Sequence, residues 1–84
     1  MNNIVQRRIV LDGSWQALAA APLIATVDIS CLPSNTGPVS FQGDDGSEVP
    51  WIPGEWHQFV SVDLAAIRVR GTIGDALTVI GGTW

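Results

Sequence analysis

Two residue types that carry much protein chemistry are nearly missing from this chain of 84 residues. There is one cysteine, Cys31, so no internal disulfide can form. There is one histidine, His57, so a His-rich metal site is excluded. Lysine is absent, and with it the G-x-x-x-x-G-K phosphate loop; the four basic residues are Arg7, Arg8, Arg68 and Arg70. Eight acids against these four give a net charge of −4, which lacks the basic patch that gripping nucleic acid requires. No apolar run approaches the ~20 residues that span a bilayer. The longest, from Leu18 to Ala25, is broken by Pro22. The start, from Met1 to Val10, lacks the apolar stretch of a signal peptide. These absences predict a cytoplasmic protein, or one built into something assembled there.

Charge of either sign is scarce. Charged residues make up 14% of the chain and hydrophobic residues 46%, where an average domain carries roughly 25% charged residues. So few charges cover the outside of a small monomer poorly, which predicts apolar surface hidden against partners. Domains of this size bury only about 60% of their unfolded surface and lean on disulfides, metals or association. With the first two removed, association remains. Four tryptophans point the same way, because Trp is enriched at interfaces.

What is present in quantity is turn chemistry. Asp12-Gly13, Asp45-Gly46, Pro53-Gly54 and Gly74-Asp75 punctuate short β-rich runs. Residues 23–32 alternate Leu23, Ala25, Val27, Ile29 and Cys31 with Thr26, Asp28 and Ser30, the period of a half-buried strand. Residues 66–71 set Ile67 and Val69 against Arg68 and Arg70, and 76–80 form an apolar run that pairs with them as a hairpin across Gly74-Asp75. Further strands are expected at 4–11, 39–43, 47–51 and 56–62. Residues 15–21 read as a strand or as a helix capped by Asp12 or Ser14 and ended by Pro22, with the strand preferred. Residues 33–38 are a loop. Frequent turns between short runs predict an all-β domain, a small antiparallel sandwich or jelly-roll-like barrel of about 6–8 short strands.

No constellation for catalysis emerges. His57 lies in a strand candidate and reads as a structural residue rather than a base. Cys31 ends an apolar strand face, where cysteine acts as a small hydrophobe. The acidic stretch Asp44-Asp45-Gly46-Ser47-Glu48 lacks the alternation of a calcium loop and reads as a solvated hairpin tip. The chain is therefore expected not to be an enzyme and to need no cofactor. Trp51 and Trp56 flank Pro53-Gly54 and admit two readings: a stacking platform for a sugar or other ligand, or plugs of the core or of a subunit interface. Trp84, the last residue, is expected to dock, preferably on a neighbour.

Pro53-Gly54-Glu55-Trp56-His57-Gln58-Phe59, then Val62-Asp63-Leu64, Ile67-Arg68-Val69-Arg70-Gly71-Thr72, Gly74-Asp75 and Val79-Ile80-Gly81 share a cadence of turns and strands. It resembles the C-terminal half of small tailed-bacteriophage virion proteins, over about residues 50–82. The resemblance implies a structural subunit of the virion, most naturally a capsid decoration or cement protein that bridges subunits of the phage major capsid protein. A head-fibre or tail adaptor is the alternative within the particle, and a carbohydrate- or ligand-binding module the alternative outside it. It further implies a homo-oligomer, with a trimer favoured, whose interfaces use Trp51, Trp56 and Trp84. Residues 1–8 are then an N-terminal arm, with Arg7 and Arg8 either pairing with capsid acids or standing as ordinary strand charges. No nucleic-acid or membrane partner is expected.

Overall fold

The structure is a computed structural model and describes residues 2–83. These residues form eight strands and a single 3₁₀ turn: β1 (Ile4–Val10), β2 (Gln16–Ala17), β3 (Ile24–Cys31), β4 (Val39–Gln42), β5 (Val49–Trp51), β6 (Trp56–Asp63), the turn Leu64–Ala66, β7 (Arg68–Arg70) and β8 (Ala76–Gly82). The all-β expectation holds. The two antiparallel sheets stack as a sandwich rather than closing into a barrel.

One sheet has the order β1-β8-β3-β6 and the other β2-β7-β4-β5. Within them β1 pairs with β8, β2 with β7, β3 with β6 and β4 with β5, all antiparallel. This is the wiring of one long hairpin rolled up on itself, with β4–β5 at its tip, which is the jelly roll. Nearly every connection therefore crosses from one sheet to the other. The β4–β5 turn, which holds Asp45-Gly46, alone joins neighbours in sequence that are also partners. Gly46 has φ of 77°, a left-handed conformation that glycine adopts without strain.

The expected hairpin of 66–72 with 76–80 is not formed. β7 pairs with β2 and β4, whereas β8 lies in the other sheet between β1 and β3. Gly74-Asp75 is a real turn, but it carries the chain between layers. Residues 15–21 hold the two-residue strand β2 and no helix. Leu18 and Ala19 are buried there, so burial of two apolar side chains overrides helix propensity. Residues 4–8 are no free arm either: β1 is paired with β8 along its whole length, from Ile4 opposite Gly82 to Val10 opposite Ala76.

The core lies between the layers. In β3, Ala25, Val27, Ile29 and Cys31 point inward, as their alternation requires. Val5, Leu77 and Val79 continue that layer, while Val39, Phe41, Trp51 and Val69 face it from the other sheet. Every buried side-chain N or O atom among the described residues has a hydrogen-bond partner. β8 and β3 approach very closely at Gly81, where a Cβ would lie 2.0 Å from the Thr26 carbonyl oxygen. Next to it β6 carries an extra residue, since Ala25 pairs with Val62 and Val27 with Phe59. Ser61 takes up that bulge with φ of 52°.

Candidate functional site

The five residues expected at an interface are placed very differently. Trp84 lies outside the described residues. Trp51 is a core residue, 5% exposed, so its expected interface role gives way to a packing one. Its ring stacks on Phe41 at 3.7 Å between centroids, lies parallel to Phe59 at 6.2 Å and meets His57 edge-on at 4.7 Å. Trp56, in contrast, is 61% exposed. The two rings therefore form no common platform. Trp51 shares the inward side of its strand with Val39 opposite, whereas Trp56 sits opposite the outward Ser30.

Arg7 and Arg8 also part, as neighbours in a strand must. Arg7 Nη1 donates to the Leu18 carbonyl at 3.1 Å, tying β1 to the segment that follows β2. Arg8 points the other way, in a row with Thr78, Ser30 and Trp56 across four strands.

That row belongs to the outer face of the β1-β8-β3-β6 sheet. Alternation from the buried residues places Ile4, Val10, Ile24, Trp56 and Ile80 on this face, each more than half exposed. Charge on it is limited to Arg8, Asp28 and, at one margin, Asp63. The Asp63 carboxylate turns aside to accept from the Leu23 and Ala65 amides. No described residue from elsewhere in the fold lies over Ile80 or Trp56 enough to bury it. The outer face of the second sheet carries Ser40, Gln42, Arg68 and Arg70 instead. There the Arg70 guanidinium lies 5.0 Å over the Trp15 ring and 3.7 Å from Glu48.

The groups with chemical potential are engaged in structure. His57 Nε2 lies 2.7 Å from Glu55 Oε2, and Glu55 Oε1 accepts from the Ile52 amide at 3.0 Å. The pair thus clasps the Pro53-Gly54 turn. The hydrogen bond from His57, then that from Ile52, holds the Glu55 carboxyl below its ordinary value. Burial, with a smaller effect of the Glu55 charge, pushes the Cys31 thiol up to about 11, the opposite of an activated nucleophile. In the 44–48 stretch, the Ser47 amide and hydroxyl hold Asp45 low. Among the described residues no three His, Cys, Asp or Glu side chains cluster as a metal site would need. No described helix is long and apolar enough to cross a membrane.

One polar device was invisible in sequence. Asp75, read only as a turn residue, is 6% exposed and accepts from the Thr36 amide, the Thr36 hydroxyl and the Gly37 amide at 3.0–3.2 Å. Beside it, Asn35 exchanges two hydrogen bonds with the Ala76 backbone at 2.8 and 2.9 Å. Together they latch the loop after β3 onto the start of β8. Its partners lie almost forty residues away in the chain, so no local pattern announces it.

The chain matches no protein-family model, no curated protein and no solved structure.

Proposed function

We propose that this protein is a non-enzymatic structural subunit of a bacteriophage particle, most naturally a capsid decoration or cement protein. In this reading it works as one copy in a homo-oligomer and docks on capsid subunits through the outer face of the β1-β8-β3-β6 sheet. The observation that carries the reading is the set of five large apolar side chains exposed on one sheet face that holds very few charges. A monomer in water gains nothing from that arrangement, and such patches mark contact surfaces. Trp56 is the natural anchor, since tryptophan dominates the energetics of interface centres. A stable contact needs about 800 Å² per partner, which one face of a four-stranded sheet supplies. The same face accounts for the low charge content without requiring an active site. The virion setting itself comes from the sequence resemblance over about residues 50–82, and fold alone does not assign it.

Light scattering after size exclusion tests the reading. The expected result is a discrete oligomer, with a mass near three times 8.9 kDa for the favoured trimer. A monomer that persists at millimolar concentration and does not bind phage heads would remove both the oligomer and the docking role.

A further inference from the structure

β5 and β6 are end strands of their respective sheets, each paired on one side only. Between the sheets on that open side lies a concavity of about 300 Å³, walled by Phe41, Trp51, Phe59 and Ile67, with Asp44 and Asp45 at its rim. Three aromatic rings of the wall lie nearly parallel, Phe41 and Trp51 at 15° and Trp51 and Phe59 at 12°. A volume of about 300 Å³ is the lower limit for small-molecule sites and suits one large side chain.

We propose that this cavity binds an extended segment of a partner polypeptide, which inserts one large apolar side chain between the sheets and sets a Lys or Arg against Asp44 and Asp45. Three observations select this occupant. First, the apolar wall calls for a hydrophobic insert. Second, among the described residues no cation lies within ion-pair distance of Asp44 or Asp45; the two ion pairs formed are His57–Glu55 and Arg70–Glu48. A cation two residues from the insert, on the same side of the strand, supplies the complementary charge. Third, β6 offers a free edge from Trp56 to Val60, before the bulge at Ser61 interrupts it. β5 is a poorer template, because Pro50 has no N–H to donate. An added strand on β6 presents alternate side chains to the cavity. The acidic rim repels phosphate and so disfavours nucleic acid.

This inference stands apart from the role of the outer face, since it uses the inner sides of the sheets. The test is an NMR titration of the ¹⁵N-labelled protein with a blocked threonine-valine heptapeptide that carries Phe and Arg two residues apart, on one side of the added strand. Saturable shifts are expected at the Trp51 indole N–H and at the amides of Asp45 and Phe59. Replacing the peptide Phe by Ser abolishes them. Replacing its Arg by Glu, or the protein double variant Asp44→Asn/Asp45→Asn, weakens binding about fivefold, which is the effect of a rim charge. Ile80→Arg, on the outer face, leaves the titration unchanged. The proposal is overturned by an absence of saturable shifts at millimolar peptide, by shifts confined to Trp56 and Ile80, or by binding indifferent to both charge changes.

Discussion

The two sheets turn the same kind of face inward and opposite kinds outward. On the β2-β7-β4-β5 sheet, the outward positions of β4 and β7 are Ser40, Gln42, Arg68 and Arg70, and Arg70 lies across Trp15. A long guanidinium-bearing stem covers an aromatic ring there while its head stays in water. On the β1-β8-β3-β6 sheet the outward positions include Ile4, Val10, Ile24, Ile80 and Trp56, each more than half exposed, alongside Arg8 and Asp28. Inward positions are dictated by the core, so both sheets obey one rule there. Outward positions are not, and it is there that the two sheets differ.

The largest effect expected bears on the close approach of β8 to β3. Gly81→Ala drives a Cβ to 2.0 Å from the Thr26 carbonyl oxygen and 2.7 Å from the Val27 Cα. Because the clash is with backbone on a paired strand, a loss of about 3 kcal/mol or more is expected, the upper end for overpacking. Gly43→Ala, in the β4–β5 turn, meets nothing within 4 Å and should be neutral or stabilise by up to about 1 kcal/mol. Thermal melts of the two variants measure the asymmetry, and equal losses would mean that β8 relaxes away from β3.

A smaller effect separates the outer faces themselves. Ile80 is 51% exposed, so Ile80→Arg should change stability by no more than about 0.5 kcal/mol. Self-association should nevertheless weaken about tenfold or more, because a charge enters the centre of the contact face. Arg68→Ser, on the other face, should leave association unchanged. Sedimentation equilibrium distinguishes them; if Arg68→Ser is the one that dissociates the oligomer, the faces have been assigned the wrong way round.

The smallest effect probes how the polar face is dressed. Arg70→Ala removes the guanidinium over Trp15, expected to cost about 0.5–1 kcal/mol in a denaturant titration. Glu48→Gln removes the 3.7 Å ion pair between two half-exposed side chains and should cost about 0–1 kcal/mol, closer to zero in salt. Because Arg70→Ala removes both contacts, a loss for Glu48→Gln equal to that for Arg70→Ala would place the stabilisation in the ion pair rather than in the ring contact.

Much of the inward-facing structure was legible from residues alone. The alternation of Ala25, Val27, Ile29 and Cys31 with polar neighbours identified the buried face of β3, and Val69 between two arginines did so for β7. Adjacent runs across a Gly-Asp turn suggested a hairpin, but the chain crosses layers at that point and the runs pair elsewhere. A turn dipeptide specifies a reversal, not the sheet in which the next strand is placed. Trp51 and Trp56 looked equivalent in sequence, with a Pro-Gly turn between them. The crossing from β5 to β6 sends one into the core and the other to the surface.

What the sequence by itself determined is local: where the chain reverses, which runs extend and which side of each run is apolar. Period-two alternation and turn chemistry act over a few residues, so they can be read from a few residues. Only the tertiary structure decided the rolled-up pairing, the latch of Asp75 on Thr36 and Gly37, the collection of five separate apolar residues onto one face, and the acid-rimmed cavity between β5 and β6. Each of these joins residues far apart in the chain. Their neighbours are chosen by how two twisted sheets close over a shared core, and no window of sequence contains that choice.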